Sequence, residues 1–400
     1  MMPNQTLPPF LMTSDPGSFA RSTILERKPQ IIRQVIADNA YPPEIVAALE
    51  AFRDEIASQT MQPLRETVSD VNFWNDELAA YPGKTWLEVP WYFAETYFYR
   101  KLLEATRYFQ PGEWQGHSPF LCQQQKQMEM DGKRLATEWE QLANLAPETR
   151  FEALLHSCLW GNRADLSNFT VKVKARGGLA AHQERHLILI DHTNAVQAIL
   201  SSGVKRADFI CDNVGSDLLF DLALVDFLLR QGWVREIHLQ LKNQPFFVSD
   251  AMPVDAQQTV ELLKASAGTT MRASGMRLAE DLAVGRLILD TDPFWTTFLM
   301  FRQMPAHLLD ELAHSALVLI KGDVNYRRLL DDRRWPYTAR MGEIAAYFPA
   351  SFVVLRTLKG EILVGLSDGQ AEAIQAEDST WLINGKRGVI ELVKGKGQTI

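Results

Sequence analysis

Apolar residues recur at helical spacing through the first 168 residues and then give way to short apolar runs. Ile45, Leu49, Phe52 and Ile56 fall at i, i+4, i+7 and i+11, one face of a helix that Pro42-Pro43 begins. Phe98, Leu102, Ala105 and Phe109 make a comparable stripe and predict a helix over 93–109, with further helices over 133–145 and 151–160. The aromatic-rich stretches FWNDEL (73–78) and WLEVPWYF (86–93) read as loops whose rings form core contacts between lobes. Glu95 and Arg100, five apart on one helix, do not share a face and read as separate contacts rather than as a site.

From Phe169 onward, short apolar runs alternate with helical segments. Runs over 186–190, 208–211, 237–241, 246–248, 286–289, 316–320 and 351–355 predict strands. Strands alternating with helices indicate a largely parallel sheet with helices on both faces. Each run stops at a charged or polar residue. If those ends share one edge of the sheet, Asp191, Asp212, Asn213, Asp250, Asp323, Arg356 and Lys359 converge on one crevice, where open α/β sheets gather their ligands. The stretch around which the chain is organised is 207–230. There Phe209-Ile210-Cys211 ends in Asp212-Asn213, Gly215 turns the chain, and Leu218–Leu229 is too long an apolar run for a strand and reads as a buried helix. Asp212-Asn213 is the first candidate site; the plain alternative is that Asp212 caps the helix and Asn213 makes a turn.

Composition narrows the classes. A chain of 400 residues exceeds one ordinary core, so a helical lobe over 1–168 and an α/β domain over 169–400 are expected. With 46% apolar and 22% charged residues it reads as a soluble globular protein. A net charge of −8 argues against nucleic acid or an anionic membrane as partner. No uncharged apolar run is long enough to span a bilayer, and the start lacks the basic and apolar regions of a secretory signal. Cys122, Cys158 and Cys211 share no metal-like spacing, which suits a reducing cytosol and a cytoplasmic location.

Several oxygen ligands without neighbouring His or Cys favour a divalent cation such as Mg2+ or Mn2+. Asp212, Asn213 and Asp250 would leave coordination positions open for water and substrate, and Lys359, Arg327 and Lys321 are the cations available for a phosphate. Two other readings fit less well. RLILDTDPFW (286–295) begins like an aspartyl-phosphate phosphatase of the haloacid dehalogenase type but carries Pro293-Phe294 where that pattern wants Thr or Val. A dinucleotide enzyme needs G-x-G-x-x-G, which DNVGSD lacks.

DNVGSDLLFDLALVDFLL (212–229), PFFVSD (245–250), DPFW (292–295), KGDVNYR (321–327) and RTLK (356–359) together resemble the metal-dependent damage-control phosphatase family, in its carbohydrate-phosphate branch. That branch carries an R-T-x-K signature and has also been described as a protein-glutamate O-methyltransferase. The likeness extends to GSFARSTILERKPQIIRQVI (17–36), PWYFAETYFYR (90–100) and LWGNRADLS (159–167). It implies a three-layer α/β/α, Rossmann-like sandwich with an N-terminal helical lobe. It implies Mn2+, Ni2+ or Co2+ on Asp212, Asn213 and Asp250, and a substrate pocket formed by Asp217, Asp323, Asn325, Tyr326, Arg327, Arg356 and Lys359. The implied activity is hydrolysis of small sugar phosphates of the fructose 1-phosphate or fructose 6-phosphate type, with Asp212, Asn213, Asp250 and Lys359 carrying the chemistry. The alternatives are an S-adenosylmethionine-dependent carboxyl methyltransferase and a non-catalytic phosphometabolite-binding protein. One departure is Asp217, five residues after Asp212, where the best-known members have Glu.

Overall fold

A computed structural model describes residues 7–161 and 184–395; the proposed boundary at 168/169 and most of LWGNRADLS lie outside them. On the N-terminal side, one helical rod runs from Phe19 to Asp38, interrupted by a π-helical turn at Thr23–Arg27 and continuing as α1 (Lys28–Asp38). It is followed by α2 (Pro43–Ser58), α3 (Val71–Leu78), α4 (Trp91–Ala105), α5 (Leu121–Ala143) and α6 (Pro147–Gly161). The stripe Ile45, Leu49, Phe52, Ile56 is the buried face of α2, as its spacing requires. FWNDEL is helical rather than a loop: Val71, Trp74 and Leu78 recur at 3–4 residue spacing and are buried on one face of α3.

Among the described residues the sheet has seven strands: β1 (Ile188–Asp191), β2 (Val204–Ile210), β3 (Val234–Leu241), β4 (Leu287–Thr291), β5 (Leu317–Lys321), β6 (Phe352–Thr357) and β7 (Gly388–Val393). They lie in the order β1-β7-β6-β5-β2-β3-β4. The five from β6 to β4 are mutually parallel, whereas β7 pairs antiparallel with β6 and carries β1 parallel to itself. Two expectations fail here. Phe246–Val248 is a turn instead of a strand, with Phe247 held at φ 53°. Asp191 is not at the crevice: β1 runs against the parallel strands, and Asp191 accepts from Arg185 Nε at 2.6 Å and from the Thr193 backbone N–H at 3.0 Å.

The sheet is covered on both faces, so its central strands are largely apolar, and the Asp208 carboxylate inside β2 is paired with Arg206 at 2.9 Å. Alternate residues divide between two cores: Val318, Ile320, Phe352 and Val354 join the aromatics of α2–α4, while Leu317, Leu319, Val353 and Leu355 join α5, α6 and the helix α7 (Ser216–Arg230). The N-terminal helices therefore serve both faces. Helix α7 is buried on every side from Ser216 to Leu229, which explains its unbroken apolar run. Its N-cap is Gly215, not Asp212; the Ser216 N–H donates instead to Asp131 Oδ2 of α5 at 2.8 Å. Asp212 therefore does not cap this helix. No helix among the described residues is long and apolar enough to cross a membrane.

Candidate active site

The chain leaves β2 through α7 to β3 on one side, and later returns to place β5 on the other side of β2. At such a switch point the loops diverge and open a crevice beyond the carboxyl ends of the strands. Asp212 and Asn213 follow β2, Asp250 closes the loop after β3, Asp323 follows β5 and Lys359 follows β6. All five line one cavity. Asn213 and Asp250 are held side by side by an isolated antiparallel bridge, and Ala251 N–H donates to the Asp212 carbonyl at 2.8 Å.

Asp212 sits against the start of α8 (Gly322–Leu329). The Asn213 side-chain amide donates to Asp212 Oδ2 at 2.8 Å, and the Ser249 hydroxyl donates to Asn213 Oδ1 at 2.6 Å. Among the described residues no three His, Cys, Asp or Glu side chains converge as a metal centre. The donors at this rim are two carboxylates and an amide, oxygen donors of the type hard divalent cations take. For Asn213 to offer its oxygen beside Asp212 the amide must turn over, and the Ser249 hydroxyl, which can also accept, serves that orientation equally well. The residues present thus fit the implied ion in kind.

Beneath the rim lies a buried ionic layer. Lys321 Nζ donates to Asp217 Oδ1 at 2.5 Å and to Asp221 Oδ1 at 2.6 Å, and Asp217 in turn faces the Asn213 backbone N–H at 3.4 Å. Burial alone would disfavour the Lys321 charge, but the two carboxylates outweigh it and hold the ammonium well above its ordinary value. Burial pushes the Asp221 carboxyl up to about 7, with Lys321 opposing. The structure places Asp217 in this layer and not on the cavity wall.

Asp323 is the hub of a second network. Arg356 Nε donates to its Oδ1 at 2.7 Å and Arg327 Nε to its Oδ2 at 2.8 Å. Burial would raise this carboxyl, but the two guanidinium groups bring it down to about 2. Both arginines are fully buried: Arg327 also reaches Asp332 at 2.8 Å and lies 4.0 Å over the Trp91 ring, while Arg356 lies 4.2 Å over Tyr326. Asn325 donates to the Cys211 and Lys321 carbonyls, and the Tyr326 hydroxyl accepts from Val364 N–H at 3.0 Å. Of the expected pocket residues, Asp323 and Lys359 line the cavity; Asn325, Tyr326, Arg327 and Arg356 stand behind them.

The opposite contribution comes from the N-terminal helices, which sequence reasoning did not assign to the site. Phe19 and Arg27 come from the rod and Trp91 and Glu95 from α4, and Phe247 and Val324 complete the lining. Glu95 and Arg100 are separate contacts, Arg100 pairing with Glu66 at 2.6 Å and Asp70 at 2.7 Å, but Glu95 lines the cavity, against its reading as no part of a site. A signal was present at Arg27, which ends the π turn, an irregularity frequent at functional sites, but a π turn is not readable from spacing alone.

The chain as a whole is similar to known proteins. Residues 23–374 match the model described as the damage-control phosphatase ARMT1-like domain. The chain is 31% identical to the damage-control phosphatase ARMT1 of Danio rerio, over 96% of this chain and 97% of that one. It is also 31% identical to the Mus musculus protein of the same name, over 96% and 98% of the two chains, and 29% identical to that of Homo sapiens over the same shares. The crystal structure of a DUF89 family protein from Pyrococcus horikoshii is similar in fold, with a TM-score of 0.51 and 15% identity over 94% of this chain and 98% of that one.

Proposed function

Because the chain belongs to the damage-control phosphatase ARMT1-like family, we propose that it is a metal-dependent phosphatase that hydrolyses small sugar phosphates in the cytoplasm. The observation that carries this reading is the meeting of Asp212, Asn213 and Asp250 with Lys359 and Asp323 in one cavity at the switch point.

Asp212, Asn213 and Asp250 would hold the divalent ion, Mn2+, Ni2+ or Co2+ by the family resemblance. Such an ion, when bound, supplies Lewis-acid withdrawal of charge from a phosphoryl group and makes water a stronger acid. Lys359 meets the remaining phosphate charge from the β6 side. Asp323, kept ionised by Arg327 and Arg356, is a fixed acceptor for a sugar hydroxyl or for the attacking water. Arg327 and Arg356 hold Asp323 through their Nε groups; Arg356 Nη2 is engaged with the Gly360 carbonyl and Arg327 Nη1 with Asp332, while Arg327 Nη2 has no hydrogen-bond partner among the described residues. The layer formed by Lys321, Asp217 and Asp221 holds the Asn213 turn in place from below.

The test is a screen of phosphate esters with Mg2+, Mn2+, Co2+ and Ni2+, reading free phosphate from the wild type and from Asp212→Ala. Metal-dependent release from fructose 1-phosphate or fructose 6-phosphate, lost in the variant, is expected. Undiminished release by Asp212→Ala would overturn the assignment.

A further inference from the structure

The wall that α4 gives to the cavity holds an acceptor the fold itself does not use. Glu95 is 1% exposed. Its Oε2 receives the Lys28 ammonium, whereas its Oε1 is buried and has no hydrogen-bond partner among the described residues. Buried carboxylate oxygens are satisfied in native proteins, so one left open on a cavity wall points to a donor that arrives with a ligand.

The group is also held in position. Lys28 is pinned over the rings of Phe98 and Tyr99 at 4.6 and 4.5 Å, and the Tyr99 ring meets that of Phe247, itself on the cavity wall, at 4.8 Å. A side chain locked by packing and by a second ionic partner presents its remaining oxygen in one direction. That oxygen accepts only. The dianion of a phosphate ester offers acceptors and has no proton to give it, whereas a sugar hydroxyl has a proton to donate.

We propose that Glu95 is a specificity-determining residue: its Oε1 accepts a hydrogen bond from a hydroxyl on the non-phosphorylated end of the substrate, selecting polyhydroxylated phosphate esters over those without hydroxyls. The inference rests on the phosphatase reading above and assigns its substrate end. The ring of Trp91, one helical turn before Glu95, borders the same wall and provides an apolar face for the carbon skeleton.

Two variants test it. Glu95→Gln keeps the shape and removes the charge. Lys28→Met combined with Glu95→Met removes the buried pair together, so that no lone charge is left inside. The readout is the ratio of kcat/KM for fructose 6-phosphate to that for phenyl phosphate, with thermal unfolding to confirm the fold. A lost hydrogen bond to a charged group predicts a fall in that ratio of about 10- to 100-fold in the double variant and a smaller fall in Glu95→Gln. A ratio within about twofold of the wild type in both folded variants overturns the proposal; should the double variant not fold, the same result in Glu95→Gln alone overturns it. If the wild type releases no phosphate from either ester, it is the phosphatase reading that falls. Glu95 is then judged by calorimetry, from the affinity for fructose 6-phosphate relative to inorganic phosphate, with the same loss of preference expected.

Discussion

The Asp212 carboxylate occupies the space that a side chain on Gly322 would need: a Cβ at that position would fall 1.9 Å from Oδ2. Gly322 also has φ +83°, a left-handed conformation that costs about 1–2 kcal/mol for any other L-residue. Gly322→Ala is therefore expected to displace Asp212, abolish metal-dependent phosphate release and lower stability in urea by at least that strain. Wild-type turnover by this variant would show that Asp212 is not needed where it stands.

Lys321 pairs with two carboxylates in a fully buried layer. Removing one partner of a buried ionic cluster costs about 3–5 kcal/mol, because the other charges stay behind without compensation. Lys321→Met should lose stability on that scale in urea unfolding. Asp221→Asn should lose far less, since Asp217 still holds the lysine.

Glu391 on β7 is 7% exposed, and burial pushes its carboxyl up to about 8. Unfolded, the group titrates near its ordinary value of about 4.3. A raised folded value means that the folded chain holds the extra proton, so this contribution is intact below about pH 4.3 and is lost as pH rises toward 8. Glu391→Gln lacks that loss. Its melting temperature relative to wild type should therefore climb from pH 5 to pH 8; a difference that stays flat across this window contradicts the assignment.

Stripping divalent ions with a chelator is expected to remove phosphatase activity and to lower the melting temperature. Adding back Mn2+ should restore both in the wild type, because a ligand bound only by the folded state stabilises it by mass action. In Asp250→Ala the added ion should leave the melting temperature unchanged, a comparison read by calorimetric scans.

Much of this was legible in the chain. The charged ends of the apolar runs located Asp212, Asn213, Asp323 and Lys359, because a parallel sheet puts those ends on one edge as a matter of geometry; Asp250 was found from the run 246–248, which is a turn and not a strand, and reaches the same cavity on the loop after β3. Asp191 broke the pattern because strand direction is not written in a four-residue run: β1 looks like its neighbours and runs the other way. β7 escaped because Gly388–Val393 follows a polar loop and pairs antiparallel beside β6, outside the alternation of strand and helix. Asp217, Arg327 and Arg356 were found as members of the site region but not as its supports, since burial and pairing depend on what lies across the sheet. Glu95 and Arg27 were invisible for the same reason: local spacing on α4 and on the rod says nothing about a cavity whose other wall begins more than 100 residues later.

The central claim is that Asp212, Asn213 and Asp250 hold one divalent ion. Anomalous diffraction at the manganese edge, from crystals grown with Mn2+, tests it most directly. A single strong peak bounded by Oδ atoms of those three residues, beside Lys359, is expected; a cavity without a peak, or a peak ligated by other side chains, would contradict it.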